Sequence, residues 1–126
     1  MPVYDSERFD PAAPVASVVL RNPNKGVTIE NVLLLMDTGA DVTLLPKSAV
    51  DQIGVSPLPQ RYELMGFDGS RSFASVVELD MIFLERVFQG RYLLIDDEQG
   101  ILGRDVLNQV ALLLDGPRRT WVEYKP

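Results

Sequence analysis

The residues best equipped for chemistry in this chain are carboxylates. Residues 33–46 read Leu-Leu-Leu-Met-Asp-Thr-Gly-Ala-Asp-Val-Thr-Leu-Leu-Pro, so one acid, Asp37, ends an apolar run and is followed at once by Thr38 and Gly39. The run reads as a buried strand, and a carboxylate at its edge is costly unless it is hydrogen-bonded, paired or protonated. Taken alone, such an acid is either a turn residue after a strand or a group held ready for proton transfer. What the chain lacks narrows the chemistry. It contains no cysteine and no histidine, which excludes disulfides, thiolate and imidazole nucleophiles, histidine bases and the commonest zinc ligands. Carboxylates, hydroxyls, lysine and tyrosine remain.

A second motif, Ile101-Leu102-Gly103-Arg104-Asp105, follows later in the chain. Together, and in this order, Asp37-Thr38-Gly39-Ala40-Asp41 and this apolar-apolar-Gly-Arg motif resemble the retropepsins, the single-domain retroviral-type aspartic proteases. The resemblance covers roughly residues 15 to 115. It implies a mainly β fold, a closed barrel or sandwich with a flap hairpin and one or two short helices. It also implies a homodimer, because an aspartic protease needs two carboxylates and one Asp-Thr-Gly per chain supplies half of them. Two ionised carboxylates about 3 Å apart, at an effective dielectric near 20, repel by roughly 5 kcal/mol. Such a pair therefore holds one proton between them, an effect for which aspartic proteases are the standard example. The ionised copy of Asp37 then takes a proton from water while the protonated copy donates to the scissile carbonyl. No cofactor and no metal is called for.

The resemblance assigns roles residue by residue. Thr38 would bond across the dyad to its two-fold mate, and Gly39 would let substrate backbone approach. Asp41 would accept from substrate and pair with Arg104, whose planar guanidinium suits a bidentate bond to a carboxylate. That pair is structural, substrate-organising, or both. Gly39, Ala40, Asp41, Leu44 and Ile101 would line the substrate site, with Met65, Gly66 and Phe67 on the flap that closes over bound peptide. Gly103 would let the chain pass tightly behind the catalytic loop. The chain departs from the retroviral pattern at three places: Phe67 and Asp68 replace a glycine-richer flap tip, Val42 stands where a second Asp is common, and the segment after Gln109 is longer.

The elements that must position these residues are short. Residues 1–13, with Pro2 and Pro11, read as a flexible or strand-adding leader, and residues 14–126 as the protease domain. Val15–Arg21 and Val27–Met36 form a hairpin around Asn22-Pro23-Asn24-Lys25-Gly26. Val42–Leu45 is a strand, and Pro46 opens a helix through Ile53, with Gly54 as its stop. Arg61–Met65 and Ser72–Leu84 make a long hairpin whose second strand bends to join two sheets. Arg91–Ile95 and Ile101–Gly103 are strands flanking an acidic loop, Asp96–Gly100. Arg104–Gln109 is a short helix, and Val110–Leu114 and Thr120–Tyr124 are strands around Asp115-Gly116-Pro117. The sum is about eight strands and two small helices.

The totals set outer limits. One core suits 126 residues, and the formal charge of -6 with 12 Lys and Arg argues against nucleic acid or an anionic membrane as partner. The N-terminus has no basic region followed by an apolar core, and no apolar run approaches a membrane span, so a cytoplasmic protein is expected. Asp96-Asp97-Glu98 is read as a solvated loop rather than a cation site, since its acids lack the spacing of a calcium loop. If the loop borders the substrate pocket, it would favour basic side chains. The leading function is an aspartic endopeptidase acting on extended polypeptide. The alternative is a dimeric retropepsin-like module that binds or scaffolds peptides without turnover. Phosphoryl transfer through an aspartyl nucleophile fits poorly, because no second acid stands two residues after Asp37.

Overall fold

Asn22 shows how local chemistry starts this fold. Its buried side-chain oxygen accepts the backbone N–H groups of Asn24 and Lys25, its amide donates to Ile53 O at 3.0 Å, and Gly26 completes the turn at φ +72°. One residue thus closes the first long hairpin and ties it to the end of a helix. The computed structural model describes residues 2–66 and 68–126; Phe67, expected on the substrate-covering hairpin, lies outside the described residues.

In chain order the strands are β1 (Tyr4–Asp5), β2 (Ala13–Arg21), β3 (Thr28–Met36), β4 (Leu44–Pro46), β5 (Arg61–Met65), β6 (Arg71–Phe83), β7 (Arg86–Ile95), β8 (Gly100–Leu102), β9 (Leu112–Asp115) and β10 (Thr120–Glu123). Two short helices, α1 (Lys47–Gln52) and α2 (Arg104–Leu107), follow β4 and β8. The fold is mainly β, as expected. Eight strands run in the order β1-β2-β3-β8-β4-β7-β6-β5, and β2 also pairs with β6. That extra pairing closes β2, β3, β8, β4, β7 and β6 into a ring, so the sheet is a barrel. A register shift between Val18 and Leu20, opposite a β3 segment in which Asn31 takes φ 58°, lets Val19–Arg21 reach Asp80–Ile82.

The core follows the two-residue period. Ala16, Val18 and Leu20 of β2 and Val77, Leu79, Met81 and Phe83 of β6 point inward, joined by Leu34, Leu45, Leu94, Leu102 and Val106. Ala49, Val50 and Ile53 bury one face of α1 against them. Arg21 donates twice to the buried Asp80 carboxylate, at 3.1 and 2.9 Å, where the barrel closes.

Three expectations need adjustment. The sequence reading left residues 86–90 outside any strand, whereas β7 begins at Arg86 and pairs with β6 from Phe83↔Arg86 to Val76↔Leu93. Its two-residue turn, Leu84–Glu85, sits at φ 54° and 60° without the Asn or Gly that normally marks such a turn. β4 is Leu44–Pro46 rather than Val42–Leu45, because the Thr43 N–H and hydroxyl are both taken by the Asp105 carboxylate. β9 begins at Leu112, two residues later than the expected Val110. The leader does add a strand: β1 pairs with β2 through Tyr4↔Pro14 and Asp5↔Ala13. Among the described residues no helix is long and apolar enough to cross a membrane.

Candidate active site

Asp37 emerges where β3 ends, and β8 determines its position. These strands pair in parallel through Leu34↔Gly100, Leu35↔Ile101 and Met36↔Leu102, and the ladder continues as Asp37 N–H donates to Leu102 O at 3.0 Å. On its other side β8 meets β4 through Leu44↔Ile101. The chain between β3 and β4 must therefore pass around the end of β8. Within that loop Gly39 N–H donates to Asp37 Oδ1 at 2.9 Å, and Ala40 N–H to Asp37 O at 3.1 Å. The half-buried carboxylate is thus held by a backbone amide with its rim open to solvent. Thr38 and Gly39 are exposed beside it.

The second motif clamps the loop from behind. Arg104 donates its backbone N–H to Ala40 O at 2.8 Å and its guanidinium to Thr38 O at 2.7 Å. Gly103 lies so close that a Cβ there would sit 2.5 Å from Val42 O and 2.6 Å from Val42 C. Any side chain at that position would push the loop outward. Gly100 is similarly hemmed in, 2.5 Å from Leu34 Cδ2 and 2.6 Å from Leu44 O.

The expected Arg104–Asp41 ion pair is not formed. Among the ion pairs of the described residues none joins them. Arg104 turns its fork to the Thr38 carbonyl, and the exposed Asp41 keeps its hydration, for which an exposed pair offers little recompense. Instead, Thr43 and Asp105 tie the two motifs together. Thr43 is fully buried; its hydroxyl donates to Asp105 Oδ1 at 2.6 Å and accepts from Gly103 N–H at 3.0 Å, while its own N–H donates to Asp105 Oδ2 at 3.1 Å. Sequence reasoning passed over both residues. The available signals were a lone Thr inside Val42–Leu45 and an acid in the first turn of α2.

Leu44 and Ile101 are half-buried neighbours across the β4–β8 pair. Leu44, Val42, Leu58 and Leu64 pack on Ala74, Val76 and Leu93, a small apolar cluster separate from the main core. Through Leu64 and Ala74 this cluster joins the β5–β6 hairpin to the floor formed by β4. At the hairpin's far end Met65 and Gly66 are exposed. There Gly66 N–H donates to Ser70 O, and Asp68 Oδ1 accepts Ser70 N–H at 2.9 Å. The Ser70 hydroxyl and N–H hold the Asp68 carboxyl below its usual range. A hollow of about 580 Å³ lies away from Asp37, lined by Asn22–Lys25, Gly54–Ser56, Leu58 and Glu78.

A family model described as aspartyl protease matches residues 24–106, which is more than half of the 126 residues and includes both motifs. The chain belongs to the aspartyl protease family. Among solved structures it is similar to the retroviral EIAV protease complexed with the inhibitor HBY-793, at 23% identity and a TM-score of 0.57, covering 77% of this chain and 86% of that one. This likeness establishes the retropepsin-like fold. No curated protein matches the chain by sequence.

Proposed function

We propose that this aspartyl protease family member is an endopeptidase that works as a homodimer, each chain giving one Asp37 to a catalytic pair. The observation that carries the reading is the buttressed loop: Asp37 held by Leu102 O and Gly39 N–H, with Arg104 and Gly103 behind it. Such rigidity is costly to build into a surface turn and useful where a carboxylate must meet its twin within about 3 Å.

In the paired site one carboxylate takes a proton from a trapped water as that water attacks the scissile carbonyl carbon. The other donates its proton to the carbonyl oxygen. Collapse of the resulting gem-diol breaks the C–N bond as a proton passes to the leaving amine. Thr38 bonds with its mate in the second chain, a role its exposure supports, and Gly39 leaves room for substrate backbone. The β5–β6 hairpin serves as the flap, with Met65 and Gly66 near its end and the Leu44 and Ile101 side chains forming apolar floor beneath. Substrate is an extended polypeptide with apolar side chains in that floor.

The deciding test is a mass-spectrometric digest of denatured protein by wild type and Asp37→Asn. Cleavage by wild type, lost in the variant and blocked by pepstatin-type inhibitors, supports the endopeptidase. Peptide binding without cleavage between about pH 3 and 8 would instead identify a non-catalytic peptide-binding module.

A further inference from the structure

Strand β7 is paired along nearly its whole length on one side and only at its end on the other. Toward β6 the register runs without a break from Arg86 to Leu93. Toward β4 only Leu93, Leu94 and Ile95 find partners, opposite Leu44, Leu45 and Pro46. The chain preceding β4 turns away at Thr43, whose N–H and hydroxyl are taken by Asp105. Among the described residues no other strand fills the vacated position beside residues 86–91.

Parity tells which backbone groups this leaves. Leu93 N–H donates to Thr43 O at 3.3 Å, away from β6, and strand residues two apart aim their polar groups the same way. Val87, Gln89 and Arg91 therefore turn their N–H and C=O groups away from β6 as well. The Leu84–Glu85 turn sets the same phase, because Phe83 and Arg86 flank it as a hydrogen-bonded pair. Alternate donors and acceptors thus line about 13 Å of free edge. Natural edges are usually blunted by lysine, proline or a bulge, and Val87-Phe88-Gln89-Gly90 carries none of these. The edge borders a groove of about 430 Å³, lined also by Asp105, Val106 and Gln109, in and just after α2.

Charge decides what kind of chain fits. Although the protein carries a formal charge of -6, the groove has Arg86 at one end of the free edge and Arg91 at the other, on opposite faces of the strand. The acid in its lining, Asp105, has both oxygens engaged: Oδ1 accepts the Thr43 hydroxyl and Val106 N–H, and Oδ2 accepts Thr43 N–H. Arg86 pairs with Glu123, and Arg91 with Glu78 at 3.9 Å, but the two arginine side chains stay 49% and 59% exposed. Surface pairs of this kind hold weakly and leave guanidinium donors free.

We propose that the free β7 edge is a docking groove for a partner protein, which lays an extended segment of about five residues along it as an added strand and sets acidic side chains at both ends against Arg86 and Arg91. Two strands, β8 and β4, stand between β7 and the Asp37-bearing end of β3, so this groove is distinct from the catalytic loop.

The test uses the Asp37→Asn protein, so that no probe is consumed, and two labelled nonapeptides of threonine and valine, one with a glutamate pair at each end and the other with lysine pairs instead. Fluorescence anisotropy should show the glutamate peptide binding roughly tenfold or more tighter than the lysine peptide. Amide NMR should place it, with the Val87, Gln89 and Arg91 signals shifting and their solvent exchange slowing. Gln89→Pro removes an outward N–H and leaves the bonds to β6 in place, so it should weaken the glutamate peptide by a similar factor while circular dichroism stays native. Arg91→Glu, an exposed change, should weaken the glutamate peptide and strengthen the lysine one. Equal binding of the two peptides, binding of neither, or a footprint on residues 37–41 and the β5–β6 hairpin instead of β7 overturns the proposal. Cleavage plays no part in this readout. Asp37-dependent proteolysis with an empty groove sinks the groove alone; a filled groove on a protein that cleaves nothing sinks the protease alone.

Discussion

Asp37 and Thr43 do opposite kinds of work six residues apart. Asp37 is half-buried and open on one side, so replacing it by the isosteric Asn should leave the fold and melting temperature nearly unchanged. Catalysis should fall by about 10²- to 10⁴-fold, the usual worth of a positioned acid–base group, measured as kcat on a fluorogenic peptide. Thr43 is sealed, with donor and acceptor both used on the second motif. Thr43→Val leaves the Gly103 N–H and an Asp105 oxygen without that partner, and should cost about 2–3 kcal/mol in urea unfolding. Because this clasp holds Gly103 against the loop, the same variant should also lose activity, whereas Asp37→Asn separates the two effects.

At the scale of elements, the β5–β6 hairpin carries its own pH dependence. Bonds from the Ser70 hydroxyl and N–H lower the Asp68 carboxyl, so the tip turn is supported above the ordinary carboxylate range and loses that support as acid protonates Asp68. An NMR titration should show Ser70 and Gly69 amide shifts moving at acid pH, with the movement abolished in Asp68→Asn. On β7 the sign is reversed. The Tyr92 hydroxyl donates to Phe88 O at 2.7 Å, and burial, reinforced by Asp105 and Asp80, pushes the phenol upward. The folded state keeps the proton that an unfolded phenol releases near about pH 10, so stability is lost as pH rises above that value. Tyr92→Phe should flatten this alkaline decline while costing about 1 kcal/mol at neutral pH through the lost hydrogen bond.

At the scale of the whole molecule, the site as proposed is a property of two chains. Cleavage per chain should rise with concentration until the dimer is saturated. A shared proton also favours turnover on the acid side of neutrality, and a flat rate from about pH 4 to 9 would contradict it. Acid has an opposing effect through Asp68, so Asp68→Asn should shift the acid limb of the profile and leave the neutral limb alone.

Periodicity and turn chemistry made much of this protein legible in its residues. The Asn22–Gly26 turn, the alternating cores of β2 and β6, the Pro46-initiated helix and the two motifs all announce themselves locally, because apolar spacing and backbone preference act over a few residues. The turn at Leu84–Glu85 did not, since packing of the long β6–β7 ladder imposes left-handed φ on residues that carry no mark of it. Nor did the partner of Arg104. Whether a guanidinium takes an exposed carboxylate or a nearby carbonyl depends on where β8 carries it past the Asp37 loop, and that path exists only once strands distant in the chain have paired. The chemical identity of the acid was thus set by sequence. Its buttressing by Thr43, Asp105 and the Arg104–Thr38 bond was decided by tertiary structure, which alone determines which polar groups lose their water and must find each other.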